Sequence, residues 1–180
     1  MALRHSTRRL ALSSLTVACG PSLSTLHAEA GRGQVQSDAP LHARQAVVIA
    51  APREKVWALL TGFSAWPSWQ PEISRMNAPR AVREGETFVW KTGDTEITSQ
   101  IALVRPNEEL AWTGTASVAK AIHVWRLSSP TLDTTRIETE ETMDGPLLTW
   151  FYGQKELDRD MARSLANLTA AATAPSRAST

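Results

Sequence analysis

The feature that most constrains this chain is the apolar stripe near its C-terminus. From Leu147 to about Ala172 the sequence reads as one long amphipathic helix. Leu157, Met161, Leu165, Leu168 and Ala172 recur at helical spacing, and Trp150 falls beside them within an arc of about 80°. Lys155, Glu156, Asp158, Arg159, Asp160 and Arg163 take the remaining surface. Such a helix spans roughly 37 Å at 1.5 Å per residue, and its stripe needs an apolar partner. Gln154 falls inside the stripe, where it is either a polar contact to something held there or part of a frayed, solvated first turn.

Strand-like runs are the material available to cover that stripe. His42 to Ala50 is rich in β-branched residues and reads as the first strand. Ala51-Pro52 ends it, and Pro52 opens a short helix to about Leu60 that Thr61-Gly62 stops. Phe63 to Pro71 carries Trp66, Pro67, Trp69 and Pro71, too many prolines for a ladder strand or a long helix. It reads as a stiff turn holding two indoles, a candidate lid.

Six further strands are expected at Ile73 to Arg83, Thr87 to Lys91, Thr95 to Val104, Glu109 to Ser117, Ala121 to Ser128 and Thr134 to Met143. Alternation puts Ile97, Ser99, Ile101 and Leu103 on one face. A hairpin around Pro130 and Asp133, with Trp125 opposite Ile137, puts His123, Trp125 and Leu127 on the face of Ile137, Thr139 and Glu141. Asp144-Gly145-Pro146 closes the last strand. The expected fold is α+β: a seven-stranded antiparallel sheet wrapped around the C-terminal helix, with two short helices after the first strand.

The N-terminus reads as an export signal over residues 1–30. Arg4, Arg8 and Arg9 precede an apolar run from Leu10 to Ala18, and Ala28-Glu29-Ala30 offers a small-x-small cleavage site. That run is too short to cross a bilayer. Ser6 to Leu10 also resembles a twin-arginine signal, so the export route stays open. Thr16-Val17-Ala18-Cys19 resembles a lipobox, and lipidation of Cys19 would be the one route to a membrane. The expected location is periplasmic or secreted, with an anchored lipoprotein as the alternative. Residues 31–41 read as a flexible leader, 42–172 as the domain and 173–180 as a disordered tail.

The local wording carries a resemblance. Ala51-Pro52-Arg53-Glu54-Lys55-Val56-Trp57-Ala58-Leu59-Leu60, followed by Phe63-Ser64-Ala65-Trp66-Pro67-Ser68-Trp69, resembles the opening of the START, pollen-allergen-like and polyketide-cyclase superfamily (SRPBCC). Arg105-Pro106 to Trp112, Ala121 to Trp125, and Glu140-Glu141 before Asp144-Gly145 resemble its later landmarks. The resemblance covers about residues 42 to 172 and implies the helix-grip fold. Members include lipid carriers, hormone receptors, aromatic cyclases, dehydratases and chaperone regulators that share one cavity, so the fold alone does not choose a function.

Composition narrows the choice. Lys and Arg number 19 against 18 Asp and Glu. Without Arg4, Arg8, Arg9 and Glu29 the balance is 16 to 17, which leaves no footprint for nucleic acid. Seven Trp against one Tyr and three Phe suits a ligand cavity as well as a core. The expected walls are Phe88, Trp90, Ile97, Ile101 and Trp112, then Trp125 and Ile137, with Leu157, Met161 and Leu165 from the helix and Trp66 and Trp69 at the mouth. Ser99, Thr113, Thr139 and Gln154 would orient the ligand.

No metal or cofactor is expected, because the domain offers His42 and His123 and no thiol beyond Cys19. Gly-x-Ser-x-Gly and phosphate-loop patterns are missing. His123 with Glu141 is the one candidate acid/base pair; the alternative is a hydrogen-bonded His on the sheet face. Three functions follow: a binder of a small hydrophobic lipid, aromatic or polyketide-like ligand; a cofactor-free cyclase or dehydratase using His123; or an interaction module whose cavity has collapsed on its own tryptophans.

Overall fold

A computed structural model describes residues 20–175. Its strands are β1 (Leu41–Ile49), β2 (Ile73–Asn77), β3 (Thr87–Thr92), β4 (Thr95–Arg105), β5 (Glu109–Ala116), β6 (Ala119–Thr131) and β7 (Thr134–Asp144). They form one antiparallel sheet in the order β1-β7-β6-β5-β4-β3-β2. Helix α1 (Leu23–Ala30) precedes β1, and α2 (Arg53–Thr61) and a 3-10 helix (Phe63–Ser68) follow it. Helix α3 (Gln154–Thr173) lies against the inner face. This is the helix-grip architecture, with bulges after Ile73 and Ile101 that bend the sheet around its helix.

Helix α3 starts seven residues later than the stripe suggested. Leu147 sits at φ 64°, Leu148–Trp150 make a single 3-10 turn, and Gly153 is extended. These breaks end the helix at Gly153, whose N–H donates to the Glu156 carboxylate at 3.1 Å. Trp150 therefore leaves the stripe and stands 81% exposed. Leu157, Met161, Leu165, Leu168 and Ala172 are all buried.

The β6–β7 register places Trp125 opposite Thr139 and His123 opposite Glu141, two residues from the expected pairing. A two-residue slip keeps every side chain on its face. The bulge after Ile101 has the contrary effect: Leu103 turns to the outer face with Ala102. Strand β2 stops at Asn77 rather than Arg83, ahead of Pro79, and Pro130 lies within β6.

The outer face is not bare. Ser22 caps α1 by accepting the Thr25 N–H at 3.1 Å. Leu26 and Ala30, one turn apart, are buried against Ala102, Leu103, Ala111, Ile122 and Val124. The stretch expected as a flexible leader is laid along the same face: Arg126 donates to the Gly33 carbonyl at 2.6 Å, and the Gln36 N–H donates to Thr142 at 3.3 Å. The end of the expected signal peptide thus forms α1, and its cleavage site lies inside that helix. Arg4, Arg8, Arg9 and Cys19 lie outside the described residues, as does the tail from residue 176.

Deleting residues 1–30 is expected to cost roughly 3 kcal/mol through loss of the α1 contacts. That lowers the thermal midpoint by about 6–12 °C. Deleting residues 1–19 is the comparison; equal midpoints for the two truncations would make α1 dispensable.

Candidate ligand-binding cavity

Between α3 and the inner sheet face lies a cavity of about 880 Å³, within the usual range for small-molecule sites. Trp66 enters from the 3-10 helix and Trp69 from the residue that caps its end, Trp90 from β3, Ile97 from β4, Trp112 from β5, and His123 and Trp125 from β6. Glu141 and Met143 come from β7, and Asp160, Met161, Arg163 and Ser164 from α3. Residues 92–95 and 116–119, two hairpin turns, edge it together with Leu148, Phe151 and Tyr152. A Cβ on Gly145 would lie 2.5 Å from the Val118 carbonyl oxygen, so glycine lets the end of β7 close on the 116–119 turn.

Several expected wall residues lie behind this surface. Phe88, Ile101 and Ile137 are fully buried, and Phe88 stacks on Phe63 at 4.5 Å. Leu165 joins the same core, while Leu157 packs with Leu41, Ala43, Leu148 and Met161. Ser99 accepts the Trp90 indole N–H at 3.1 Å, and Thr139 holds His123. Thr113 faces outward and bonds His27 of α1 at 3.2 Å. Gln154 is exposed, donating to the His42 carbonyl at 2.8 Å and accepting the His42 N–H at 3.1 Å. The solvated reading of Gln154 is the one the structure follows.

Gln70, Glu72, Tyr152, Asp160, Arg163 and Ser164 line the cavity without having been singled out in the sequence. Ser164 had a signal, since it falls about 20° from Leu157 on a helical projection. It donates to Gln70 at 3.1 Å. Tyr152, which donates to Asp160 at 3.0 Å, had none, because its place depends on the break before α3.

The polar heart of the cavity is His123 with Glu141. The imidazole lies 4.9 Å from both the Trp112 and Trp125 rings, stacked on Trp125. Its Nε2 meets Thr139 Oγ1 at 2.6 Å, and its Nδ1 lies 3.6 Å from Glu141 Oε2. Burial pulls His123 down to about 3. Burial, helped by Asp160, pushes Glu141 up to about 8. Both groups are therefore uncharged at neutral pH. An imidazole this weakly basic is a poor proton acceptor at neutral pH, since general bases work best near the operating pH. Two cavity indoles also want partners: the Nε1 atoms of Trp69 and Trp125 are buried with no acceptor in the structure.

A family model described as polyketide cyclase / dehydrase and lipid transport matches residues 40–173. The chain belongs to that family. Its place in the START/polyketide cyclase superfamily agrees with solved structures. A hypothetical protein from Helicobacter pylori aligns with TM-score 0.67 and 16% identity, over 76% of this chain and 90% of that one. The Zhui aromatase/cyclase from a Streptomyces species gives 0.65 and 16%, over 76% and 96%. A START superfamily protein from Mycobacterium smegmatis gives 0.58 and 15%, over 72% and 92%. These likenesses carry the fold alone. No curated protein matches the chain. In this polyketide cyclase/dehydrase and lipid transport family member, α1 lies before the matched residues, and the whole cavity lies within them.

Proposed function

We propose that this family member binds, and carries, a small hydrophobic molecule in the α3–sheet cavity, with lipid, aromatic and polyketide-like compounds as the candidate classes. The observation that carries this reading is the open volume itself, walled by Trp66, Trp69, Trp90, Trp112 and Trp125. That space counts against a module collapsed on its own tryptophans. The unpaired indole N–H groups of Trp69 and Trp125 favour a ligand with an acceptor atom on an apolar body.

Native mass spectrometry of the purified chain, compared with its denatured mass, tests for a copurifying molecule. The matching variant is Ser164→Trp, which sets an indole into the cavity from α3. It should weaken binding of a neutral aromatic probe by about 100-fold or more while shifting the thermal midpoint by less than about 5 °C. Unchanged affinity in that variant would place the probe elsewhere.

The second reading is a cofactor-free cyclase or dehydratase, favoured by the His123 and Glu141 side chains standing 3.6 Å apart in the cavity. It requires His123→Ala to abolish turnover while leaving ligand affinity within a few fold; loss of binding alone counts against it. Export is the third part of the proposal, supported by the basic and apolar order of the first residues. Since α1 packs on the domain, the reading has any cleavage fall before Ser22, the cap of α1, and the intact mass of exported protein tests it.

A further inference from the structure

Among the described residues, the Glu141 carboxyl is the one acidic group in the cavity that the fold leaves unclaimed. It points inward from β7 with its side chain 20% exposed, and among the described residues no donor reaches it within hydrogen-bond distance. His123, its nearest polar neighbour, stands at 3.6 Å and is already held by Thr139 at 2.6 Å. Thr139, opposite Trp125, and Ala43 of β1, opposite Glu141 itself, bring no charge.

The charged groups around it have a sign. Asp160 and Arg163 face it from α3 and pair with each other at 3.5 Å, and Tyr152 donates to Asp160. Glu72 accepts from Asn167, and Asp94 sits in the β3–β4 turn. Among the described residues, four carboxyl groups and one guanidinium thus line the cavity. Fatty acids and other carboxylates would enter against that field. Tryptophan faces, by contrast, attract cations, most strongly where water is excluded.

We propose that the cavity takes apolar molecules carrying a basic amine, with the nitrogen seated against Glu141 and the hydrocarbon among the tryptophans. The inference rests on the cavity-binding reading above. Burial keeps the empty site's carboxyl protonated at neutral pH, with a value of about 8. An ammonium entering beside it reverses that balance, so binding expels the Glu141 proton to solvent and forms an ion pair in its place. Amine affinity should therefore rise with pH until Glu141 ionises unaided.

Three probes with one naphthalene body separate the possibilities: naphthylethylamine, naphthylethanol and naphthylacetate, titrated against the full chain by tryptophan quenching and calorimetry. At pH 7.5 the amine should bind about tenfold tighter than the alcohol, and the carboxylate should bind weakest. From pH 6 to 7 the amine's affinity should rise about tenfold and level off above about 8. Calorimetry in two buffers should show nearly one proton released per amine at pH 7. Glu141→Gln should remove both the amine preference and the pH slope, with alcohol affinity held within about threefold as the check that the cavity still forms. An alcohol that binds as well as the amine, or an amine whose affinity ignores pH, overturns the inference and leaves the cavity-binding reading standing. If none of the three probes binds, both fall.

Discussion

Replacing Phe88 by Ala is expected to cost about 4 kcal/mol of folding stability and to lower the thermal midpoint by roughly 8–16 °C. The ring is fully buried, stacks on Phe63 at 4.5 Å, and meets Trp66 and Trp112 edge-on at 6.2 and 5.7 Å. Each such aromatic pair contributes about 0.5–1.5 kcal/mol beyond area burial. Truncation therefore leaves a dry void in the layer that ties β3 to the 3-10 helix. Ile97→Ala is the control, because Ile97 is part-exposed to space that already exists. Its cost should stay near 1 kcal/mol. Chemical denaturation of both variants decides the matter. A Phe88→Ala cost no larger than that of Ile97→Ala would make Phe88 the ligand wall that its strand position suggested, and the core assignment would fall.

That contrast shows what periodicity can and cannot say. Alternation along β4 put Ile97, Ser99, Ile101 and Leu103 on one face, and the first three point toward the helix, as does Phe88 of β3. It carried no information about depth. Ile97 touches the cavity, while Ile101, farther along β4, is fully buried in the core that also holds residues of α2 and the 3-10 helix. Which inward residues meet empty space depends on where α3 crosses the sheet, a three-dimensional quantity without a local signal.

The pairing of His123 with Glu141 survived a register error because faces repeat every two residues. Thr113 and Leu103 did not share that protection. Thr113 lies one residue beyond inward-facing Trp112, and Leu103 follows a bulge that alternation cannot foresee. Helix α1 escaped for a different reason. A basic start, an apolar run and small residues make the same pattern whether the last turn is removed or packs on a sheet. Leu26 and Ala30 are too few to announce a buried face.

Between pH 6.5 and 8 the protein is expected to lose roughly 2 kcal/mol of stability. Glu141 is raised to about 8 from 4.5, so the folded state keeps a proton that the unfolded chain gives up above pH 4.5. Stability from this group accordingly falls with rising pH until the folded carboxyl ionises. His123, lowered to about 3 from 6.5, works in the other direction: the unfolded chain binds the extra proton, and stability rises with pH across that interval. The two slopes cancel from pH 4.5 to 6.5, leaving a plateau, and above 6.5 the Glu141 slope stands alone. The acid limb is shared. Burial favours a raised Glu140, but hydrogen bonds from Arg126 and His42 outweigh it and hold that carboxyl low, so its protonation adds to the loss there. The alkaline limb is the clean reading. Thermal midpoints should fall by about 4–8 °C between pH 6.5 and 8, and Glu141→Gln should flatten that limb. His123→Asn, which removes the opposing slope, should let the decline begin near pH 4.5. A flat wild-type profile from pH 6.5 to 8 would mean that the folded Glu141 carboxyl ionises near its ordinary value, and the neutral carboxyl on which the amine inference depends would go with it.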